Sequence, residues 1–543
     1  ILINQRAAFN SPVWFNLGLH EQYGITCLAK PEEPFYGFNP VTGTIEQVHD
    51  TYARPQISAC FINKVEDSIA SVCDEAKQEG LLFKYGSGTG SNFSPLRGKG
   101  ERLSGGGGSS GAVGFMHPGD CIAGIIKSGG KTRRAAKMII LDVDHPDIEE
   151  FIDWKPEEEK KVAALGAFDY DTGFEGNAYD SVTGQNANMS VRVTDEFMNT
   201  VATGGTFNTI NRIGRTVHKT HDAKTIYEKI ATAAWSCGAP GIQFDTTINE
   251  WHTCPNTDRI NASNPCSEYM FLDDSSCNLA SLNLMKFKNA DGSFDVRGYQ
   301  YAIQVMITAM EILVDHASYP KKEIAQNSHD YRPLGLGYAN LGALLMQEGL
   351  PYDSDEGRAL CGALTAILTG EGYAQSARIA HQVGAFEGFE HNKEPFLNVI
   401  RKHKEAVNTS MPSTTTQVAG LEELVREARV SWKTAEELGI QHGYRNAQIS
   451  VLAPTGTIGF MMDCDTTGIE PDLCLIKTKT LSGGGTLLIV NTGVEKALNN
   501  LGYTPTEIVD IQKYVEEQHH VEGAPHLKQE HLPIFDCAFT AGD

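Results

Sequence analysis

The chain has 543 residues, of which 41% are hydrophobic and 21% are charged, a composition typical of a soluble globular protein. Its formal net charge of −23 argues against a nucleic-acid partner, because affinity for a polyphosphate backbone comes mainly from lysine and arginine. We find no apolar run that could cross a membrane and no secretory signal near the first residue. Twelve cysteines are too dilute for a disulfide scaffold, so we expect a cytoplasmic protein in which a cysteine pair that oxidises is catalytic.

The length allows two to four average domains or one large α/β barrel with insertions. The chain begins at Ile1 rather than at a methionine and stops abruptly at Asp543. We therefore expect it to be a segment of a longer protein.

Apolar spacing predicts a helix over 66–85, and a glycine-rich tract follows it. Residues 138–143 (MIILDV) indicate a buried strand, and Pro146 with the acids after it predicts the start of a helix. The polar stretch 155–185 is predicted to be a loop insertion.

Helical spacing returns over 223–236, 298–316 and 356–382, and the charged stretch 387–445 is helix-prone and marks a second insertion. Residues 448–453 (QISVLA) indicate a strand that ends in the turn beginning at Pro454. Alternating strands and helices over this length favour an α/β architecture.

Two glycine-rich motifs do not carry the function that they first suggest. The run from Gly86 to Gly90 does not fit a dinucleotide-binding loop, because a helix rather than a strand precedes it. Gly130-Lys-Thr resembles the end of a P-loop, but Ile125 stands where that motif needs glycine. Five cations lie close together around it and indicate either a solvated basic loop or a contact with polyphosphate: Lys127, Lys131, Arg133, Arg134 and Lys137.

Three cysteines lie in contexts that suggest chemistry. In Asn264-Pro-Cys-Ser-Glu268, an extended backbone would place the side chains of Asn264, Cys266 and Glu268 on one side, gathering an amide, a thiol and a base. Cys277 follows eleven residues later, and Cys60 lies far upstream. Taken singly, each is typical of a buried inert thiol. A zinc site is conceivable, although no CxxC or histidine pair with ligand spacing accompanies them.

Nine segments in order, from residue 8 to residue 471, resemble the large catalytic subunit of ribonucleotide reductases. These segments are AFNSPVWFN (8–16), QISACFI (56–62), GSGTGSNFSPLRG (86–98), DVDHPDIEEFI (142–152), NPCSE (264–268), CNLASLNL (277–284), RPLGLGYANLGALL (332–345), APTGTIG (453–459) and TTGIEP (466–471). The wording of NPCSE, CNLASLNL and APTGTIG is most similar to the adenosylcobalamin-dependent class, in which homolysis of the carbon–cobalt bond starts the radical.

The resemblance implies that residues 1–543 are one catalytic core, a ten-stranded α/β barrel that is incomplete in this chain. Cys266 would lie on a finger loop through its centre and carry the thiyl radical that takes the 3′-hydrogen of a ribonucleotide. Glu268 would accept the 3′-hydroxyl proton, and Asn264 would hydrogen-bond beside it. Cys60 and Cys277 would be the dithiol that reduces the sugar and ends as a disulfide, which agrees with a two-electron reduction needing two thiols that can pair.

The same resemblance implies binding residues. The substrate would contact, besides these catalytic residues, Ser11, Ala59, Gly88, Pro265, Ser267, Pro454, Thr455, Gly456, Thr457 and Ile458. Asp67 and Arg97 would bind a deoxynucleotide effector at a homodimer contact, and the loops 127–137 and 185–190 would lie between effector and substrate. A thioredoxin-like dithiol reductant would be the further partner, and no metal site is expected apart from the cobalt within the cofactor.

Two alternatives to this interpretation stay open. One is a catalytic subunit that takes its radical from a separate metal-containing subunit. The other is a nucleotide-binding regulatory homologue without activity, although the presence of all three cysteines with Asn264 and Glu268 argues against it. Whether the substrate is a diphosphate or a triphosphate also stays open.

Overall fold

The computed structural model describes residues 1–128, 133–173, 176–411, 418, 420–480 and 486–539. The described chain is mixed α/β. Its contacts divide it into a first unit (1–14, 278–314 and 330–543) and a second unit (15–277 and 315–329). Among the described residues, we find no helix that is both long and apolar enough to cross a membrane.

The strands of the described chain are β1 (Ala7–Phe9), β2 (Phe35–Asn39), β3 (Thr44–Val48), β4 (Cys60–Asn63), β5 (Gly88–Asn92), β6 (Lys127–Ser128), β7 (Arg133–Arg134), β8 (Lys137–Asp142), β9 (Ala187–Val193), β10 (Thr206–Ile210), β11 (Val217–Asp222), β12 (Gly241–Phe244), β13 (Ser275–Asn283), β14 (Leu334–Ala339), β15 (Ile476–Thr480) and β16 (Thr486–Val490).

The α-helices are α1 (Ser11–Asn16), α2 (Leu19–Tyr23), α3 (Ile69–Lys84), α4 (Ala112–Ile125), α5 (Ile148–Gly166), α6 (Asp195–Thr203), α7 (Ala223–Cys237), α8 (Asp245–Glu250), α9 (Val296–His316), α10 (Lys322–Tyr331), α11 (Leu341–Gln347), α12 (Asp355–Val383), α13 (Phe389–Ser410), α14 (Leu421–His442), α15 (Gly456–Met461), α16 (Gly493–Asn500) and α17 (Pro505–Gln518). Short 3-10 turns cover Tyr179–Ser181, Leu284–Phe287 and Gln529–Phe535.

A parallel sheet organises the second unit. Its strands lie in the order β4-β5-β8-β9-β12 and all run parallel, while residues 275–277 of β13 pair antiparallel with β4. Parallel strands are usually covered on both faces, and β8 is accordingly a nearly continuous apolar run whose residues from Lys137 to Leu141 are all buried. Helices α4 and α5 pack on β8, and α3 packs on β5. Because the five strands are parallel, their amino ends lie along one edge of the sheet.

The first unit contains a smaller sheet and a helical layer. Residues 278–283 of β13 pair in parallel with β14. The short strand β1 pairs antiparallel with the other edge of β13. Helices α12 and α14 pack along each other, and α16 and α17 enclose a separate apolar cluster. Local signals set several of these ends: Ser354 caps α12, and Thr504 with Glu507 forms a capping box at α17.

The predicted elements are largely confirmed, with two corrections. The helices expected over 66–85, 223–236, 298–316 and 356–382 are present as α3, α7, α9 and α12, and the strand expected over 138–143 is β8. The predicted loop over 155–185 is wrong in its first part, because α5 continues to Gly166. Glutamate, lysine and alanine favour a helix, and their polarity marks an exposed face rather than a loop. The helix-prone stretch 387–445 contains α13 and α14.

The second correction concerns the strand predicted over 448–453. This segment runs beside β14, and Leu336 N–H donates to Ile449 while Val451 N–H donates to Leu336. Leu336 and Ser450 form an isolated parallel bridge. The segment therefore runs beside β14 without forming a regular strand. Close approach explains its position: a Cβ at Gly337 would overlap the carbonyl oxygen of Val451.

Candidate active site

Cys60 and Cys277 lie directly opposite each other on paired strands in the second unit. Cys60 is the first residue of β4, and the antiparallel register pairs it with Cys277 of β13. Side chains at directly opposed positions share a face of the sheet and have Cβ atoms about 4.5–5.5 Å apart. A disulfide needs closely placed Cβ atoms, so this register brings the two thiols to positions from which small adjustments could join them.

Burial controls the charge on this cysteine pair. Both thiols are buried, and burial raises the pKa of Cys60 and of Cys277 well above the ordinary cysteine value, with the nearby Glu268 charge raising both further. The two groups are therefore protonated thiols rather than thiolates at neutral pH. In this form each can donate a proton.

The NPCSE segment is a turn, which corrects the extended backbone that we predicted for it. Ser267 N–H donates to the carbonyl oxygen of Asn264 across 3.2 Å, and Ser267 has a left-handed φ of 65°. Pro265 occupies the second position of this four-residue turn, where its fixed φ is favoured. The turn still brings Asn264 and Glu268 together, but by reversing the chain rather than by alternation along a strand.

The carboxamide of Asn264 links the cysteine pair to the glutamate. Its Nδ2 donates to Oε2 of Glu268 (2.7 Å) and to Sγ of Cys60 (3.0 Å), while its Oδ1 accepts from the backbone N–H of Tyr269 (2.9 Å). The Cys60 thiol donates to Oε1 of Glu268 at 3.7 Å. An amide, a thiol and a carboxylate thus occupy one small volume, but the thiol is that of Cys60, whereas the sequence pattern had suggested Cys266.

Cys266 differs from the other two cysteines because it is exposed. The carbonyl oxygen of the preceding Pro265 accepts a hydrogen bond of 2.7 Å from Nδ2 of Asn188, the second residue of β9. This bond fixes the backbone immediately before the exposed thiol.

The segment that carries Cys266 crosses the face of β5. A Cβ at Gly88 would lie 2.7 Å from Cγ of Pro265, and a Cβ at Gly90 would overlap the carbonyl oxygen of Ser263. Farther along, Nδ2 of Asn92 donates to the carbonyl oxygen of Asn261 (2.9 Å). Gly88 and Gly90 of the GSGTG motif therefore allow the segment that carries Cys266 to approach β5 closely.

The structure brings some of the predicted substrate residues into the cysteine cluster. Ala59 N–H donates to the carbonyl oxygen of Cys277, and Gly88 N–H donates to that of Ala59. These two residues therefore belong to the same edge of the sheet as Cys60.

Pro265 and Ser267, in the turn already described, also lie in the second unit, whereas the predicted substrate residues Ser11 and 454–458 belong to the first unit. Ser11 begins α1 and is buried. The turn before α15 is tight: Thr455 has a left-handed φ of 54° and its hydroxyl accepts from the N–H of Gly468. Gly456 and Thr457 are exposed there, whereas Ile458 is buried against Ala8. The turn presents backbone and a hydroxyl outward, as a contact with an anion would need.

The predicted effector residues contact each other in the second unit. Nε and Nη2 of Arg97 lie 2.9 and 2.8 Å from Oδ2 of Asp67, and the Arg97 N–H donates to Oδ1. The Asp67 carboxylate raises the pKa of Arg97. Their role in effector binding stays a prediction.

The basic loop proves to be less uniform than its sequence suggests. Lys137 is only 1% exposed and forms a buried ion pair with Glu79, so it neither faces solvent nor is available to polyphosphate. A lysine this buried is tolerated because a carboxylate compensates it. Lys131 and the side chains of Lys127, Arg133 and Arg134 lie outside the described residues. Residues 187–190 of the second predicted loop belong to β9.

A cavity of 530 Å³ lies at the opposite, carboxyl edge of the same sheet. Its lining includes Asn92 at the end of β5, Asp142 at the end of β8 and Arg192 near the end of β9. The cysteines lie at the amino edge, so this cavity is separate from their cluster. In the part of the chain that the structure describes, no group of three or more histidine, cysteine, aspartate or glutamate side chains could hold a metal ion.

Two residues that the sequence did not single out shape the cluster, although Asn188 lies within the predicted 185–190 loop. Asn188 holds Pro265, and Tyr269 fixes the Asn264 carboxamide through its N–H while its hydroxyl contacts Ser275 at 2.8 Å. Tyr269 adjoins the NPCSE segment, and proximity alone could have singled it out. Asn188 carries no comparable signal, because its contact depends on a segment about eighty residues away.

The family model described as "Ribonucleotide reductase, barrel domain" matches residues 58–543. The chain belongs to this ribonucleotide reductase family. Relatives named vitamin B12-dependent ribonucleotide reductase include proteins of Rhodopirellula baltica (52% identical, covering 99% of this chain and 51% of the relative), Streptomyces avermitilis (48%, covering 99% and 52%) and Agrobacterium fabrum (44%, covering 97% and 48%). The chain thus spans about half the length of these ribonucleotide reductases.

Proposed function

We propose that the chain is the catalytic core of a ribonucleotide reductase that depends on vitamin B12 in the form of adenosylcobalamin. The observation that carries this proposal is the opposition of Cys60 and Cys277 on paired strands, with Asn264 and Glu268 bonded at Cys60. The names of the relatives support the cofactor assignment. A ten-stranded α/β barrel, with 261–268 as its finger loop, is the finer form of the fold that we propose.

Cys266 is the residue to which we assign the radical. Its thiol is exposed whereas Cys60 and Cys277 are buried, so it is the one of the three that a bulky cofactor can approach. The chemistry that adenosylcobalamin supplies when bound is homolysis of its carbon–cobalt bond, which initiates the radical. As a thiyl radical, Cys266 takes the 3′-hydrogen of the ribose, and at the end of the cycle its thiol returns a hydrogen atom to C3′ and becomes a radical again.

Glu268 and Asn264 handle the 3′-hydroxyl proton. Glu268 acts as the general base, which requires a carboxylate within hydrogen-bond reach of the hydroxyl. The 2.7 Å bond from Nδ2 of Asn264 orients that carboxylate and stabilises its charged form. Removal of this proton makes the sugar radical more able to lose its 2′-hydroxyl.

Cys60 and Cys277 supply the reduction. The 2′-hydroxyl leaves as water with a proton from one of these thiols. The second thiol hydrogen ends on C2′, and the pair gives two electrons as it becomes a disulfide. The raised pKa of each thiol keeps that proton available until the leaving group takes it. A thioredoxin-like dithiol partner then reduces the disulfide by exchange.

Two further groups of residues are proposed to bind nucleotides, one the substrate and the other the effector. Residues 454–458 and Ser11 hold the substrate, together with Ala59 and Gly88. Asp67 and Arg97 hold a deoxynucleotide effector in a homodimer. A diphosphate substrate is favoured because a Mycobacterium tuberculosis relative, 31% identical over 89% of this chain and with 59% of its own length covered, is named a vitamin B12-dependent ribonucleoside-diphosphate reductase.

An assay of the full-length protein tests this function. We expect deoxynucleotide formation from a ribonucleoside diphosphate only when adenosylcobalamin and a dithiol are both present, with no other subunit added. A Cys266→Ser variant is the matched control and should form no product. Robust turnover without cobalamin would instead support the class that receives its radical from a second, metal-containing subunit. Nucleotide binding without any turnover would support the inactive regulatory homologue.

A further inference from the structure

The backbone immediately after Cys266 has a conformation that a serine rarely adopts. Ser267 has a φ of 65°, in the left-handed region where a Cβ is sterically disfavoured. Such a conformation persists only where the surroundings hold it. The Ser267 hydroxyl lies 3.2 Å from Nε2 of Gln243 and 3.4 Å from Oγ of Ser263.

Gln243 is oriented by its other contacts. This third residue of β12 is 3% exposed, and its Oε1 accepts a hydrogen bond of 3.1 Å from Nη1 of Arg192. A guanidinium only donates, so the carboxamide oxygen must face Arg192 and the NH₂ group must face away. That NH₂ group donates to Oγ of Ser263 (2.8 Å) and to Oγ of Ser267.

Arg192 is itself immobilised. Its Nε donates to Asp245 (2.7 Å), and its Nη2 donates to the carbonyl oxygen of Ile260 (2.6 Å). The glutamine amide is therefore anchored through Arg192, and it reaches the residues on both sides of the Asn264–Cys266 stretch.

We infer that Gln243 is a positioning residue for the radical cysteine: it holds Ser263 and Ser267 and so aims the Cys266 thiol. It acts through the two serines, and the contacts above give it no bond to Cys266. The inference rests on the proposed function, because that function assigns hydrogen abstraction to Cys266 and this step needs a precisely oriented thiol. A hydrogen-atom transfer needs the reacting atoms held in near-contact, so a small misplacement lowers the rate constant more than it lowers affinity.

Kinetics of full-length variants test the inference. We expect Gln243→Ala and Ser267→Ala each to lower kcat by about ten- to a hundredfold, while KM for a ribonucleoside diphosphate stays within about threefold. Both substitutions remove the same hydrogen bond, between Gln243 and Ser267. The kcat of the double variant should therefore be only slightly lower than that of the less active single variant. Ser267→Gly should retain more activity than Ser267→Ala, because glycine adopts a positive φ without strain. Gln78→Ala, at another buried glutamine of the second unit, is the control and should leave kcat unchanged.

A second measurement needs no turnover. The rate at which iodoacetamide alkylates Cys266, relative to the exposed Cys73 in the same sample, should change several-fold in Gln243→Ala and not in Gln78→Ala. Equal relative alkylation rates would overturn the inference, as would fully additive losses of kcat or a drop in Tm with normal kcat. If the unmodified protein reduces no nucleotide, the proposed function fails, and alkylation still decides whether Gln243 positions Cys266.

Discussion

Charge at the candidate site is set residue by residue through burial and hydrogen bonding. The Cys60 thiol is buried beside the Glu268 carboxylate, so a thiolate there would lose solvation and face a second negative charge. The Asn264 carboxamide offsets part of this cost by donating to both groups. The cluster therefore places a protonated thiol, which can donate a proton, beside a carboxylate, which can accept one.

The first prediction separates the roles of the three cysteines. Cys266→Ser replaces a weak S–H bond with a much stronger O–H bond, so hydrogen abstraction from the substrate should stop while the shape of the site barely changes. Cys60→Ser and Cys277→Ser leave abstraction possible but remove half of the dithiol, so the substrate should decompose with little deoxynucleotide formed. Release of tritium from 3′-tritiated substrate, together with release of free base, measures both steps.

This prediction has a clear alternative outcome. Merely structural thiols would give serine variants that differ only in stability, by about 1–3 kcal/mol for a poorly satisfied hydroxyl at the buried positions 60 and 277 and by less at the exposed position 266. Tritium release by Cys266→Ser at the parental rate would show that Cys266 is not the radical carrier.

At the scale of elements, close approach between the 261–268 segment and β5 shapes the site. Residues 88, 90 and 92 lie on one face of the strand, and they meet Pro265, Ser263 and Asn261 in turn. Two of these three strand positions are glycine, because a side chain at either would occupy the path of the crossing segment.

The second prediction tests this crossing through Gly90→Ala. The added methyl group would collide with the Ser263 backbone, and forcing an atom into a packed interior costs about 1–3 kcal/mol. We expect a Tm lowered by several degrees and a kcat reduced at least tenfold, since the displaced segment carries Cys266. Gly105→Ala is the control, because a Cβ there has nothing within 4 Å. Parental kcat and Tm in Gly90→Ala would contradict the close approach.

The third prediction concerns a buried carboxylate behind the same strand. Glu75 of α3 accepts hydrogen bonds from Ser91 and Asn63, and burial, with the charge of Glu79, raises its pKa to about 8. The folded state therefore holds a proton that the unfolded chain releases near its ordinary pKa of about 4.5, so stability falls as pH rises between these two values. The slope is at most about 1.4 kcal/mol per pH unit.

Replacing this group with a neutral one should remove that part of the pH dependence. Glu75→Gln should gain Tm relative to the parent as pH rises from 5 to 8, because glutamine keeps the acceptor without the charge. Glu79→Gln is the contrasting variant: it leaves Lys137 buried without its carboxylate and should destabilise the protein across the whole range. A constant Tm difference between Glu75→Gln and the parent at every pH would contradict a raised pKa.

The elements also show what could be predicted from the sequence. Apolar spacing predicted α3, α7, α9 and α12, and an apolar run predicted the strand β8, because those signals are local. The turn at 264–268 had a local signal in Asn264-Pro265, which the expectation of an extended backbone overlooked. The left-handed φ of Ser267 had no such signal, because its hydroxyl contacts Gln243 of β12, a distant part of the sequence. Lys137 was misjudged for the same reason: its partner Glu79 lies 58 residues earlier in the chain. Tertiary contacts decided the positions that sequence patterns missed.

At the scale of the whole molecule, the chain shares 52% identity with a reductase of about twice its length. Family resemblance, rather than spacing or periodicity, linked cysteines more than two hundred residues apart. The strand register then placed Cys60 opposite Cys277 independently of any family argument.

The last prediction tests regulation of the full-length molecule through Arg97. The guanidinium is bonded to Asp67 through Nε and Nη2, and its side chain is 18% exposed, so it is preorganised and still reachable by an effector. Arg97→Ala removes one charge-assisted contact to phosphate, which should cost about 1.5–3 kcal/mol, or roughly ten- to a hundredfold in deoxynucleotide affinity. Calorimetric titration with a deoxynucleoside triphosphate measures this change. Arg358→Ala removes another arginine paired with aspartates, Asp353 and Asp355, and should leave the affinity unchanged. Because the ion pair also joins the segments before α3 and after β5, Tm must be followed in parallel. A loss of Tm with unaltered effector affinity would make Arg97 a structural residue and move the effector site elsewhere.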